Sequence, residues 1–464
     1  MESKVARVEM TKEEEKQLVR RMDLRLIPFL ALLFVFSFLD RVNIGHARIY
    51  GLEKALHLTS SQYSWAISIF FIGYVMFEVP SNLMMKKTSP RVWIARIMVT
   101  WGMVTMCLAA VTDYRSLFAA RFFLGVAEAG LFPGIVFILS FWYTRQEQGV
   151  RLAYIFCASM VAGFVGGFAA YGIKYMDGTL GLAAWQWIFI LEGLPTVVLG
   201  VVTWFALPDT PMDATWLSEK EKRFINQRLK DSFVDVEVKK IQFGHVLVTL
   251  RDYKTFLYML CNGGCYSCMY ALALLMPTIV NSFGFSLVKT MLLTIPPYAI
   301  AFLFSLAVAA HSDYMKERGY HIVACSLFAS VCFLLLVLLK TLVHKYILLI
   351  FVTSGTGATL SIVLSWSNNN LMASSTVSAT SSALVTMAGN TGAILAGQLY
   401  YPSDGPIYTV SHLACMSLHL LTISTALILR YCLAKENTKL SVNDGSAPSF
   451  NREIGKADRF RFIL

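Results

Sequence analysis

The stretch LIPFLALLFVFSFLDRVNIGHAR, residues 26–48, decides the fold of this chain. Its first part, Leu26 to Leu39, carries no charged side chain, and a membrane-spanning helix needs about 20 mostly apolar residues. Asp40 and Arg41 then stand side by side near the end of the run. Charged groups inside such helices cost several kcal/mol unless they face a wet cavity or pair with one another. We therefore expect Asp40 and Arg41 to lie inside a helical bundle and to serve its function.

Further apolar runs of similar length follow along the chain. The predicted spans are about 26–46, 62–85, 92–111, 116–141, 150–173, 186–207, 254–281, 287–310, 321–340, 344–366, 378–400 and 408–431. Two sets of six surround one polar segment, which is typical of two bundles that rock around a site at the middle of the membrane. The predicted fold class is all-α: a polytopic membrane protein with twelve transmembrane helices in two six-helix bundles, residues 26–207 and 253–432.

Charged residues make up 15% of the chain, against about a quarter in soluble globular proteins. The formal net charge of +11 does not indicate binding to nucleic acid, because the excess Lys and Arg lie at helix ends and in loops. The N-terminal segment 1–25 and alternate loops are basic, whereas the other loops are poorer in Lys and Arg. This asymmetry predicts that segment 1–25 and the polar tail 433–464 both lie in the cytosol.

The polar segment 208–252 is predicted to be a cytosolic central loop. It contains Ser218-Glu219-Lys220-Glu221, a capping-box pattern that starts helices. A basic amphipathic stretch through Arg228 and Lys230 follows, which favours a helix lying at the cytosolic membrane surface.

Arg121 and Glu128 lie seven residues apart in the fourth predicted span, about 20° short of two helical turns and about 10 Å apart along the axis. They therefore share one helix face. Glu128 should reach the middle of the membrane, and Asp40 should lie about 21 Å up the first span, at or above the midplane. Two carboxylates and two guanidinium groups can thus share one cavity, together with Arg41. The alternative is a set of permanent ion pairs that hold the helices together.

Other polar residues within the predicted spans are further candidates. Glu78 and Glu192 either line the pore or pack at its rim, and Asn390 and Gln398 are polar points in the eleventh span that can hydrogen-bond a ligand. We find no phosphate-binding or dinucleotide-binding glycine loop, no metal-ligand cluster and no Ser-His-Asp set. The sequence therefore predicts no enzyme activity, no cofactor and no metal.

Several motifs, in order, resemble a known family: LDRVNIGHAR (39–48), VPSNLMMKK (79–87), ARFFLGVAEAGLFPG (120–134) and WQWIFILEGLP (185–195). In the second half, GNTGAILAGQLYYPSDGPIY (389–408) continues the pattern. The chain resembles the major facilitator superfamily, specifically its anion:cation symporter family in the allantoate permease branch of fungi. The resemblance covers most of residues 22–432. It departs from the family at 367–380, a loop that commonly carries basic residues and here has none.

The resemblance implies proton-coupled symport of a small organic anion by alternating access, with the bilayer as a further partner and the monomer as the functional unit. Family substrates are carboxylates such as allantoate, nicotinate, pantothenate or another vitamin or nitrogen source. By position, Arg121 suits binding of the substrate carboxylate with Arg41 beside it, and Asp40 and Glu128 suit proton coupling. The expected location is the plasma membrane. The alternatives are an exporter of a secondary metabolite or drug, and a non-transporting nutrient sensor.

Overall fold

The computed structural model describes residues 10–232, 252–371, 375–400, 404–405, 407–445 and 463, and all regular structure in these residues is helical. The long helices are α1 (Lys12–Ile49), α2 (Ser60–Lys87), α3 (Pro90–Cys107), α4 (Tyr114–Glu128 and Leu131–Trp142), α5 (Arg145–Ile173), α6 (Ala184–Ala206), α7 (Tyr253–Asn281), α8 (Leu287–Leu293 and Ile295–Met315), α9 (Gly319–Leu338), α10 (Leu342–Leu371), α11 (Ser375–Leu399) and α12 (Thr409–Gly445).

Eleven helical stretches in the described part of the chain are long and apolar enough to cross a membrane. They correspond to every predicted span except the eleventh. That span, 378–400, is present as helix α11 but falls outside the apolar set, because Ser, Thr, Gly and Asn interrupt its apolar residues. It packs between α7 and α2, and its Ser381 and Asn390 side chains are buried in the protein.

Two helices extend well beyond their predicted bounds. The first begins at Lys12 rather than Leu26, because Thr11 and Glu14 form a capping box that starts the helix in the polar segment. The last continues to Gly445, into the predicted tail. Hydropathy marks only the part of a helix that meets lipid, so these polar turns were not predictable from it. The rest of the tail lies outside the described residues, apart from Ile463.

The predicted fourth span is not one continuous helix. Helix α4 is interrupted directly after Glu128, where Ala129 leaves the helical region and Gly130 adopts a φ of +99°. Only glycine adopts such a φ without strain. A Cβ atom at Gly130 would also lie 2.2 Å from the Ser81 hydroxyl oxygen, so α2 fills the space beside the break.

In the described part of the chain, the main contacts between the two sets of six helices are those of α1 with α7, α2 with α11, α5 with α8, and α5 with α10. Small residues permit the closest approaches. A Cβ atom at Gly45 would lie 2.3 Å from the Leu274 carbonyl oxygen, and one at Gly163 would lie 2.4 Å from the Tyr298 ring. The bundle boundaries at 26–207 and 253–432 stay a prediction.

We call the end of the bundle where α1 begins the terminal face, and the other end the opposite face. A surface helix, Glu219–Ser232, docks on the terminal face. Its predicted capping box is confirmed, because the Ser218 amide donates to Glu221 Oε2 at 2.8 Å and the Ser218 hydroxyl accepts from the Glu221 amide. Ion pairs join Arg228 to Glu15 and Glu147. The helix therefore docks on α1 and α5 through charge. Residues 233–251 of the predicted central loop lie outside the described residues.

Candidate functional site

Charged side chains buried within the described membrane spans all belong to α1–α6. Each is at most 4% exposed: Asp40, Arg41, Glu78, Arg121, Glu128 and Glu192. The described residues of α7–α12 bury no Asp, Glu, Lys or Arg. Four carboxyl groups thus face two guanidinium groups in the first half of the chain, so the guanidinium groups alone cannot neutralise all four carboxylates.

Glu128 forms an ion pair with Arg41 of α1 rather than with Arg121 of its own helix. Arg41 Nε donates to Glu128 Oε1 at 2.7 Å, and Arg41 Nη2 lies 2.7 Å from the same oxygen. The Ser37 hydroxyl also donates to this oxygen, whereas Glu128 Oε2 has no hydrogen-bond partner. Arg41 Nη1 donates to the Tyr270 hydroxyl at 2.5 Å. Because Tyr270 lies on α7, the Arg41 guanidinium links the two halves.

Arg121 is fully buried and has few partners. Its Nε donates to the Ala66 carbonyl oxygen at 3.2 Å, and its guanidinium carbon lies 5.0 Å from the centre of the Phe70 ring. Its two terminal nitrogens have no hydrogen-bond partner. The predicted common face holds, since Arg121 and Glu128 are both buried on the same segment of α4. Two free NH₂ groups on one planar cation are suited to a carboxylate, which accepts two parallel hydrogen bonds.

Asp40 faces a different interface from its chain neighbour Arg41. Its Oδ2 accepts hydrogen bonds from Trp101 Nε1 at 2.7 Å and from the Thr196 hydroxyl at 3.1 Å, and Oδ1 has no partner. Consecutive residues on a helix point about 100° apart, which explains the separation. Asp40 is therefore held between α3 and α6 by neutral donors and forms no ion pair.

Aromatic rings surround the Arg41 guanidinium. Its carbon lies 4.8 Å from the Tyr74 ring centre, 5.7 Å from that of Phe70 and 5.9 Å from that of Tyr270. Sequence reasoning missed Tyr270 and Trp101. For Trp101 a signal existed, because a buried indole N–H needs an acceptor and an acid in a neighbouring span can supply it. For Tyr270 no signal in the sequence distinguishes it from the other tyrosines of α7.

Two of the remaining candidates contact each other across the halves. The Asn390 amide donates to Glu78 Oε2 at 3.3 Å, which joins α11 to α2. Gln398 also reaches α2, where its amide donates to the Ser68 hydroxyl at 3.2 Å. Glu192 lies apart from these, on α6 and within electrostatic reach of Asp40. The candidates therefore fall into three places: around Arg121 and Arg41, at the contact of α2 with α11, and beside Asp40.

A bundle of apolar helices that buries charges near its middle is the architecture of a membrane transporter. The model of the Major Facilitator Superfamily matches residues 30–397, and the chain belongs to this family. It is an integral membrane protein that transports a small molecule, and it is not an enzyme.

Named relatives support this assignment. The chain is 33% identical over 408 residues to "MFS transporter prlL" of Fungal sp. (strain NRRL 50135), with coverage of 86% of this chain and 82% of the relative. It is 38% identical over 322 residues to a "Putative tartrate transporter" of Agrobacterium vitis, covering 69% of this chain and 73% of the relative. The solved structure of the xylose transporter XylE from E. coli superposes with a TM-score of 0.69 at 12% identity, covering 88% of this chain and 97% of that chain. That likeness concerns the fold alone.

Proposed function

We propose that this transporter carries a small organic anion together with a proton, by alternating access. The observation that carries the proposal is Arg121: a fully buried guanidinium whose two terminal nitrogens have no partner, while Arg41 takes up the nearby Glu128. A permanent cation that lacks a counter-charge and leaves two of its nitrogens without acceptors is costly in a membrane interior. An incoming carboxylate removes this cost by accepting two parallel hydrogen bonds from the guanidinium.

The substrate class follows from the chemistry around Arg121. One fixed cation and the nearby Phe70 ring favour a compact anion with a planar carboxylate. A relative named as a putative tartrate transporter supports the same class, since tartrate is a small organic anion. We extend the proposal to carboxylates of the allantoate, nicotinate and pantothenate type, and we assign the chain to the allantoate permease branch.

The proton has two proposed carriers. Asp40 has neutral hydrogen-bond donors and no cation, so ionised Asp40 would be an unpaired buried charge, and a bound proton removes that charge. Glu128 is the second carrier, because it lies on the same helix face as Arg121. Repulsion between the bound anion and ionised Glu128 couples anion binding to proton binding.

Alternating access requires that contacts between the halves break and re-form. In this proposal the hydrogen bond from Arg41 to Tyr270 and the one from Asn390 to Glu78 are such contacts. Arg41 thereby couples the charge of Glu128, with which it forms an ion pair, to the position of α7, to which it is hydrogen-bonded through Tyr270. The proposed setting is a single chain in the plasma membrane, with both termini in the cytosol.

The test is uptake of labelled tartrate, allantoate, nicotinate and pantothenate into cells expressing the protein, at two external pH values. We expect at least one of these anions to accumulate, faster at the lower pH. Arg121→Ala should abolish this uptake. The matched control is Arg96→Ala, which removes an exposed arginine of α3 and should leave uptake intact.

Three results contradict the proposal. Unchanged uptake by the Arg121→Ala variant would show that Arg121 does not bind the anion. Extrusion of preloaded anion without any uptake supports the exporter instead. The sensor is supported if the protein reaches the cell surface and transports none of these anions in either direction, but its expression changes how the cells respond to one of them.

A further inference from the structure

Helices α1, α3 and α6 enclose two stacked layers of polar side chains inside the first bundle. The first layer is Asp40 with its donors Trp101 and Thr196. One turn nearer the opposite face, each helix contributes another polar residue: Asn43 on α1, Thr105 on α3 and Glu192 on α6. The spacings of three or four residues place each of these on the same side of its helix as its partner in the first layer.

The two layers differ in their hydrogen bonding. Asp40 accepts two hydrogen bonds, but in the second layer both ends of the Asn43 amide, the Thr105 hydroxyl and Glu192 Oε2 have no partner. The exposed fraction of Asn43 and of Thr105 is 0%, and that of Glu192 is 3%. Glu192 lies next to Asn43 and within electrostatic reach of Asp40. Four buried polar atoms of the second layer thus lie one helical turn from the free Oδ1 of Asp40.

Asp40 and Asn43 begin a row of polar residues along α1, and a third polar residue continues it. His46 lies three residues beyond Asn43, is 3% exposed, and has no partner for Nδ1. It borders α5, where a Cβ atom at Gly166 would lie 3.4 Å from His46 Nε2. Steps of three residues rotate the row gradually around α1, from the side of α6 toward α5. The row therefore runs from Asp40 toward the opposite face.

Dry burial of so many orphaned polar atoms is energetically implausible. Each buried donor or acceptor left without a hydrogen bond destabilises the folded protein. Buried water satisfies such groups when several polar atoms converge, typically through about three hydrogen bonds per molecule. Water bound between Asn43, Thr105 and Glu192 would also touch the free oxygen of Asp40, and so form a path for protons.

We propose that Asn43, Thr105 and Glu192 form a water-binding chamber that delivers protons to Asp40 from the opposite face. The proposal rests on the proposed proton coupling and adds a route separate from the anion site. The titratable groups that face the chamber are Glu192 of α6 and His46 of α1. The charged groups on the other side of Asp40 are Arg121 and Glu128 of α4. Glu192 relays the proton, and Asp40 holds it.

The experiment uses no substrate. The infrared spectrum of the full-length protein in lipid vesicles is recorded as the pH is changed, and the band that Asp40→Asn removes is assigned to the protonated Asp40 carboxyl. We expect this band to shift promptly when H₂O is replaced by D₂O. In Glu192→Gln the exchange should be slower by about 100-fold, the low end of what a positioned proton-transfer group contributes.

The matched control is Thr203→Val on the same helix. Thr203 is equally buried, but its hydroxyl already donates to the Leu199 carbonyl oxygen at 2.7 Å, so exchange at Asp40 should keep its rate. Asn43→Leu removes chamber polarity without touching a carboxyl and should slow exchange as Glu192→Gln does.

Three results overturn the proposal: an Asp40 band that D₂O never shifts, exchange as fast in Glu192→Gln and Asn43→Leu as in the unaltered protein, or no band that depends on Asp40 at any pH. These outcomes are independent of anion uptake. A wrong substrate class therefore fails the uptake test alone, whereas a dry chamber fails the infrared test alone.

Discussion

Single side chains in the first bundle have partners that spacing alone does not reveal. The interval of seven residues correctly places Arg121 and Glu128 on one face of α4. It does not predict that Glu128 pairs with Arg41, because the distance between two helices depends on packing along their whole length. The polar character of the site is thus predictable from sequence, and its pairing is not.

Tyr270→Phe tests the link between the halves. The variant keeps the ring that stacks on Phe38 at 5.6 Å between centroids but removes the acceptor for Arg41 Nη1. Hydrogen bonds to charged groups contribute about 1.5–3 kcal/mol, so we expect the maximal uptake rate to change by about tenfold or more. Labelled tartrate or another transported anion supplies the measurement. An unaltered rate would show that the link plays no part in the cycle.

Trp101→Phe tests the environment of Asp40. The variant removes the hydrogen bond from Nε1 to Asp40 Oδ2 and keeps most of the buried ring. We expect the pH dependence of uptake to shift while the apparent affinity for the anion stays the same. Trp65→Phe is the control, since Trp65 is 48% exposed and should change neither. If the Trp101→Phe variant has the same pH profile of uptake as the unaltered protein, Asp40 plays no part in proton coupling.

For each helix, the length of the apolar run predicts that a helix is present. Capping residues or a glycine determine where that helix begins and ends. All twelve predicted spans are helices, including α11, whose polar residues keep it out of the apolar set. The early start of α1 follows from Thr11 and Glu14, a box that the sequence displays but that hydropathy ignores. The break in α4 was not predicted, because GLF within an apolar run gives no sign that Gly130 has a positive φ.

Gly130→Ala should destabilise the protein. A left-handed backbone costs an alanine about 1–2 kcal/mol, and the new methyl group would meet the Ser81 hydroxyl. Gly172→Ala is the matched control, since it lies in helix α5 with no atom within 4 Å of its added Cβ, and should be neutral or stabilising. Thermal unfolding in detergent measures both. Equal melting temperatures would show that the break adapts to a side chain.

For the whole molecule, the architecture of two bundles follows from the pattern of apolar runs, whereas the contacts between halves do not. Gly163 on α5 is a small residue at which the two halves approach closely. The structure identifies its neighbour as the Tyr298 ring of α8, and spacing alone cannot supply that partner.

Gly163→Val should hold the two halves apart at the opposite face. Its added atoms would overlap the Tyr298 ring, so α5 and α8 cannot close as they do here. Spin labels at Tyr175→Cys and Lys340→Cys, in a variant without the nine native cysteines, measure the separation across the halves. We expect a longer distance than in the parent, and Gly172→Val should leave it unchanged. No lengthening would mean that the helices shift sideways to accept the larger side chain.

Within the described membrane spans, the buried charged side chains all lie in the first six helices, so the two halves differ in their chemistry. The described residues of α7–α12 bury hydroxyls, amides, imidazoles and aromatic rings but no Asp, Glu, Lys or Arg. Under the proposed proton coupling, substitutions in the second half can therefore change substrate preference while the buried charges of the first half stay in place.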